Sequence, residues 1–249
     1  TIEIPDNVTI IGSYAFDGCT LLTSVDIPDS LTSIGIYAFC GCSGLTTIEI
    51  PDSVTSIGKR AFFQCTGLTS VTFPDSITSI EEEVISNCTS LTEVIIPDGV
   101  TSIGNSAFAV CSGLTTIEIP DSVTTIGESA FYGCSGLTSV TIPAGVTSIE
   151  RYTFWECSGL TSVTIPESVI SIGTNAFESC TALKTVYVED NSVLGITKGD
   201  YGNGKVAQYA DHVFILTSSV APTCTGDGSK SYRCDDCGET RDVAVPALG

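Results

Sequence analysis

A chain of 249 residues, 42% of them apolar, has enough material for one or two domain cores. Its formal charge of -20 comes from 29 acidic residues against nine basic ones, and before residue 181 the only basic residues are Lys59, Arg60 and Arg151. That imbalance excludes nucleic acid as a partner, because a phosphate backbone is held by Lys and Arg that displace its counterions; anionic membrane surfaces are disfavoured for the same reason, and no apolar run approaches the roughly 20 residues of a membrane span.

From Thr1 the chain is already inside a repeat, and a single 23-residue period accounts for residues 1–188. Proline recurs at Pro5, Pro28, Pro51, Pro74, Pro97, Pro120, Pro143 and Pro166, and a leucine recurs from Leu22 to Leu183 at the same spacing. Cysteine follows at Cys19, Cys42, Cys65, Cys88, Cys111, Cys134, Cys157 and Cys180, with no insertion or deletion. A fixed period in this range means stacked coils, each covering its neighbour's apolar edge. One coil buries too little apolar surface to offset the entropy of ordering its own backbone, so the stack folds as a unit. A start inside a repeat, together with the lack of any methionine, reads as an excised piece of a longer protein, so the absence of a signal peptide from this segment carries little weight.

Within one coil, Ile48-Glu49-Ile50 alternates as a strand does, and Pro51 ends it because it cannot donate a ladder hydrogen bond. Val54 and Ile57 frame a second extended piece, and Gly58 permits the next bend. The following Lys-Arg-Ala-Phe-Phe-Gln-Cys is expected to form one or two helical turns with Ala61 and Phe62 inward. The pattern Cys-x-x-Leu-Thr…Pro…Ile-Gly-x-x-Ala-Phe, with Leu-x-x-Ile/Val-x-Ile at its strand, resembles the BspA-like leucine-rich repeat of bacterial surface proteins over about three quarters of the chain. The usual asparagine after the strand is absent; Ser30, Ser53, Ser76, Gly99, Ser122, Gly145 and Ser168 stand there, so the bend must satisfy its backbone by other means. The expected fold is therefore a repeat solenoid of leucine-rich-repeat coils, with short strands and short helical turns, over residues 1–188.

The repeats supply their own comparison. Positions that recur are required by the coil, and positions that vary are free to carry specificity. Variation gathers around the Ala-Phe pair, where Tyr14, Tyr37, Phe63, Tyr132, Tyr152 and Trp155 stand with Lys59, Arg60 and Arg151. Aromatics and arginine are the residues of protein-binding hot spots; the same residues would also shield the edge of the stack. The strand face carries ranks of threonine, which a pleated sheet favours without any ligand. In one degenerate unit Glu81, Glu82 and Glu83 adjoin; calcium would take such oxygens, but the spacing of a dedicated loop is missing and a solvated acidic turn accounts for them.

Equivalent cysteines in adjacent coils should stack one strand spacing apart, ~4.8 Å, whereas a disulfide draws its Cβ atoms to ~3.8 Å. The eight periodic cysteines are expected as a buried ladder of reduced thiols, each a small apolar plug with a weak donor. Cys40 breaks the period and would be either a buried edge thiol or a link between chains.

After Val188 the period stops, and residues 189–211 read as a cap and linker. Residues 212–249 hold the chain's one histidine, His212, with Cys224, Cys234 and Cys237. Cys234-Asp-Asp-Cys237 has the spacing that grips a tetrahedral metal. The segment resembles a small Cys-rich, β-rich module appended to bacterial surface proteins, and that resemblance implies a structural zinc on His212, Cys224, Cys234 and Cys237. The residues themselves leave three states open: zinc, a disulfide from Cys224 to one of the pair, or unliganded thiols.

No His or Lys accompanies the Cys and Ser residues of the array to activate a nucleophile, and no glycine-rich phosphate loop is present. The expected protein is non-catalytic and requires no cofactor, a structural zinc in the tail being what the resemblance of that module implies. The BspA-like resemblance implies a bacterial cell-surface or secreted adhesion module whose partner is an extracellular protein or cell-surface ligand, without insertion of this segment into a membrane. A passive spacer in a larger surface protein is the second reading.

Overall fold

The structure, a computed structural model, describes residues 1–189, 212–220, 227–234 and 237–245. Each 23-residue unit makes one coil with two short extended pieces, nearly all of them strands, and a run of tight turns, and the coils stack into a solenoid of about eight turns. The first strands are β1 (Ile2–Glu3), β3 (Val25–Asp26), β5 (Thr47–Ile48), β7 (Ser70–Thr72), β9 (Glu93–Ile95), β12 (Ser139–Thr141), β14 (Ser162–Ile165) and β16 (Thr185–Val188), and the equivalent stretch 116–118 is extended without being a strand. The second is β2 (Ile10–Ile11), β4 (Ser33–Ile34), β6 (Ser56–Ile57), β8 (Ser79–Ile80), β10 (Ser102–Ile103), β11 (Thr125–Ile126), β13 (Ser148–Ile149) and β15 (Ser171–Ile172). Both sets pair in parallel with a constant offset of one repeat, as in Ser70↔Glu93 and Ser33↔Ser56.

The core follows from this register. Ile48 and Ile50 are buried and Glu49 is exposed, so the alternation read from the sequence is the alternation of the strand. Inside, equivalent residues stack as ladders: Phe39 on Phe62 at 5.5 Å, and Phe108, Phe131 and Phe154 at 5.3 Å steps, all with nearly parallel rings. Ile85 interrupts the phenylalanine ladder yet is fully buried, so the degenerate unit keeps the core continuous. Each Pro-Asp turn closes on itself, with the Val54 N–H donating to the Pro51 carbonyl at 2.9 Å and the same bond in neighbouring coils. At four of the seven positions where asparagine is missing a serine acts: the hydroxyls of Ser30, Ser76, Ser122 and Ser168 donate to the carbonyls of Val8, Val54, Val100 and Val146 in the preceding coil. The buried Ser53 hydroxyl makes no such bond, and Gly99 and Gly145 have none to make.

The helical turns expected around Ala-Phe do not form; the described residues contain no helix. In that run the N–H groups alternate in direction. Arg60, Phe62 and Gln64 donate to Glu82, Val84 and Ser86 of the next coil, while Ala61, Phe63 and Cys65 donate three residues back to Gly58, Arg60 and Phe62. Two residues in this run, Arg60 at φ 58° and Gln64 at φ 59°, are left-handed, and a right-handed helix cannot pass through them. Stacking takes the hydrogen bonds that a helix would have kept for itself.

Gly58 also needs a different account from the one its place at a bend implies, for it is not among the glycines with positive φ. A Cβ there would stand 2.6 Å from the Ile36 nitrogen and 2.8 Å from the Gly35 carbonyl carbon. Glycine is required by the close approach of two coils and not by a special φ.

Beyond the last coil, β17 (His212–Val220) pairs in parallel with β16, setting Tyr187 opposite Phe214. β18 (Gly228–Cys234) and β19 (Thr240–Val245) follow in antiparallel order, so one six-stranded sheet runs β12-β14-β16-β17-β18-β19. Tyr232 and Cys234 are buried against Tyr187 and Leu216, a second small cluster outside the solenoid core.

Candidate functional site

The variable positions around Ala-Phe lie on the turn edge of the solenoid, and stacking brings them together in two groups. Each coil carries one of Tyr14, Tyr37, Arg60, Glu83, Ser106, Ser129, Tyr152 and Asn175 at φ between 52° and 62°. The left-handed conformation is common to all eight, so the coil imposes it and the residue type is free. In the first group Tyr14 stacks on Tyr37 at 4.9 Å and 10°. The Arg60 guanidinium donates to the Tyr37 hydroxyl, lies 5.4 Å from the Tyr37 ring centroid and 5.9 Å from that of Phe63, and pairs with Glu83 at 2.5 Å. Lys59 pairs with Glu82 at 2.9 Å. The bonds to Glu83 and Tyr37 raise the Arg60 pKa further, so it stays a cation at any working pH.

The second group lies near the other end of the array. Trp155 stacks on Tyr132 at 5.0 Å and touches Tyr152 at 5.1 Å. Arg151 lies 5.6 Å from the Tyr152 centroid and pairs with Glu128 at 2.6 Å. Burial, and secondarily the Glu156 carboxylate, raise the Tyr132 phenol. Between the groups the same edge carries Ser106, Ala109 and Ser129. Tyr14 is 57% exposed, while Tyr37, Phe63, Tyr132, Tyr152 and Trp155 are half-buried against one another. The edge thus presents two amphipathic plates, each with aromatic faces and a fixed guanidinium.

The three carboxylates of the degenerate unit do not converge. Glu81 accepts from the Ser79 hydroxyl at 2.9 Å, and Glu82 and Glu83 go to Lys59 and Arg60. Among the described residues no three His, Cys, Asp or Glu side chains form a group that could hold a metal ion.

The periodic cysteines are free, and all but the half-buried Cys19 are fully buried. From Cys42 to Cys180 every thiol donates to a backbone carbonyl 26 residues earlier, at 3.0–3.2 Å. Burial raises these thiols, Cys42 to about 11 and Cys111 and Cys180 to about 12, so none is a nucleophile near neutrality. Cys40 is half-buried and free; burial and a hydrogen bond with Asp17 raise it to about 11. In the tail, Cys234 is buried and Cys237 exposed on the turn between β18 and β19, where Gly238 takes φ 75°. β17 and β18 pair Phe214 with Cys234, which sets the start of β17, and with it the backbone of His212, beside that turn. Cys224 lies outside the described residues.

Two features escape a reading of single units. Asp6, Asp29, Asp52, Asp75, Asp98 and Asp121 form an exposed line of carboxylates down the Pro-Asp edge, one per coil. Glu150, like Glu81, stands at the glycine column, and it accepts from Ser148 as Glu81 accepts from Ser79. The 23-residue alignment contains both; only the stacking gives them meaning.

Comparison with known proteins fits this geometry. The family model described as the BspA type leucine-rich repeat region matches in six copies, over residues 1–115 and 80–198. No curated protein matches the chain. Among solved structures, a leucine-rich repeat protein of T. pallidum is 30% identical, with a TM-score of 0.52 over 73% of this chain and 76% of the other. A leucine-rich repeat protein of Bacteroides ovatus is also 30% identical, with a TM-score of 0.53 over 86% of this chain and 66% of the other, just under two thirds of its length. With the ladders, the parallel register and the family model all in agreement, the chain belongs to the BspA-type leucine-rich repeat family.

Proposed function

We propose that this chain is a non-catalytic protein-binding module of a bacterial cell-surface or secreted protein, and that it engages an extracellular partner through its turn edge. The observation that carries the reading is the pair of aromatic–arginine plates on one edge of an otherwise repetitive solenoid. Aromatic and arginine side chains fixed on a rigid frame lose little conformational entropy on binding, and such residues dominate interface energetics. The membership of the BspA-type family supports a surface setting. The test is the binding of the intact chain to a panel of purified extracellular proteins, beside a variant with Tyr14, Tyr37, Phe63, Tyr132, Tyr152 and Trp155 replaced by serine. Loss of a bound partner with an unchanged fold supports the reading; undiminished binding refutes it.

A second reading, a passive spacer, has its own support: the aromatics are mostly half-buried against each other, and the ion pairs Lys59–Glu82 and Arg60–Glu83 join successive coils. For the tail, the reading we adopt is a structural zinc held by His212, Cys224, Cys234 and Cys237. It is supported by the Cys-x-x-Cys turn and by the register that brings the start of β17 to it. Four protein ligands would close the coordination shell. Elemental analysis giving about one zinc per chain supports it, and a Cys224 disulfide found by peptide mapping rules it out.

A further inference from the structure

Where the regular array meets the C-terminal strands, a pocket of about 380 Å3 opens between the ends of β12 and β14 and the edge of β19. Its size falls within the roughly 300–1,000 Å3 of small-ligand sites. Residues that differ from their counterparts in other coils line it. Ala144 stands where each of the six preceding coils carries aspartate. Tyr187 follows Thr141 and Thr164 in their column, and Glu189 stands where eight coils carry proline. Of these, Ala144 departs from a column of aspartates, the column of Tyr187 already varies through Glu3, Asp26, Glu49, Thr72 and Ile95, and Glu189 lies just past the last coil.

The lining has two characters. Pro143, Pro166, Ala144 and Val243 make an apolar wall, and Tyr187 adds an aromatic ring held edge-on by Tyr232 at 5.0 Å. Thr141 and Thr164 bring hydroxyls that both donate and accept, and Lys230 and Glu189 form an ion pair, 33% and 11% exposed. The pair cancels its own charge while leaving hydrogen-bonding capacity toward the cavity.

Ligand classes can be sorted against that lining. A phosphate or carboxylate would meet Glu189 and Asp121, and a cation would meet Lys230. A wholly apolar molecule would strip water from the ion pair and give nothing in return. A neutral molecule with one C–H face and a rim of hydroxyls matches both halves of the pocket. We propose that this pocket binds a neutral saccharide, one or two pyranose rings of a glycan, with a ring face on the Pro143–Pro166–Tyr187 wall and its hydroxyls toward Thr141, Thr164 and the Lys230–Glu189 pair.

The test is saturation-transfer NMR on the intact chain with methyl glycosides of glucose, galactose and N-acetylglucosamine and with lactose as probes. Ala144→Asp restores the residue that six other coils carry, so it keeps the fold, which circular dichroism verifies, and places a carboxylate on the apolar wall. Thr164→Val removes one hydroxyl without changing shape. The expected result is a neutral sugar whose affinity falls about tenfold or more in each variant and is unchanged in Tyr14→Ser, which separates this site from the aromatic edge. The proposal is overturned if no neutral sugar binds at millimolar concentration, or if binding ignores both variants.

Discussion

The thiol of Cys65 donates a hydrogen bond to the carbonyl of Phe39, 26 residues earlier and one coil away, at 3.1 Å. The same bond recurs from Cys42 to Cys180, so the periodic cysteine joins one coil to the one before it. Replacing one interior member, as in Cys111→Ala, removes a fully buried sulfur and leaves the Ile85 carbonyl without its donor. The expected loss is about 1–3 kcal/mol in urea unfolding. A loss below a few tenths would mean the thiol is only a filler.

Buried thiols also make the array sensitive to alkali. Their ordinary value is 9.0, and burial raises Cys42 to about 11 and Cys111 and Cys180 to about 12, with Cys65, Cys88, Cys134 and Cys157 raised as well. A raised folded value means that the folded state holds its proton longer than the unfolded one. The contribution is therefore complete below pH 9 and is lost as the pH climbs from there toward 12. The thermal midpoint should be flat with respect to these groups up to pH 9 and then fall, and the fall should be shallower in a variant lacking Cys111 and Cys134.

Two glycines in the same column separate coil approach from bend geometry. Gly58→Ala puts a Cβ 2.6 Å from the Ile36 nitrogen, whereas at Gly12 an added Cβ meets nothing within 4 Å. Gly58→Ala is expected to cost about 2–4 kcal/mol because backbone must shift to admit it. Gly12→Ala should stay within about 0.5 kcal/mol of wild type. Equal effects at the two sites would contradict the close-approach account.

How much of this was legible in the sequence depends on whether a property lives in one unit or between units. The period, the inward Ile48 and Ile50 and the Pro-Asp turn were readable, because alternation and proline act locally. The turns around Ala61-Phe62 were not, because each helix-like segment sends half of its N–H groups to the next coil, and no single unit records that. Gly58 misled for the same reason: its constraint is the backbone of Gly35 and Ile36, 22–23 residues away. The candidate edge was visible as variation among units, but its division into a Tyr14–Tyr37–Arg60 plate and a Tyr132–Trp155–Tyr152 plate required the stacking.

The aspartate line is a liability that salt should relieve. Six exposed like charges, one per coil, repel at close spacing, and a Debye length of about 8 Å at physiological ionic strength screens them only in part. Raising sodium chloride from low to moderate concentration should raise the thermal midpoint, and Asp75→Asn, in the middle of the line, should stabilise by a few tenths of a kcal/mol at low salt. A midpoint that falls with salt would show that the cross-coil pairs at Lys59, Arg60 and Arg151 outweigh the line.

The claim that the turn edge is built for recognition is tested most directly at Trp155, by measuring partner affinity and folding stability on the same variant. Trp155 is half-buried between Tyr132 and Tyr152 at 5.0 and 5.1 Å. If the plate is a binding hot spot, Trp155→Ser weakens the complex by about 2 kcal/mol or more, some thirtyfold in Kd, while unfolding free energy changes by about 1 kcal/mol or less. Unchanged affinity beside a large loss of stability would show that the plate only holds the coils together, and would contradict the account.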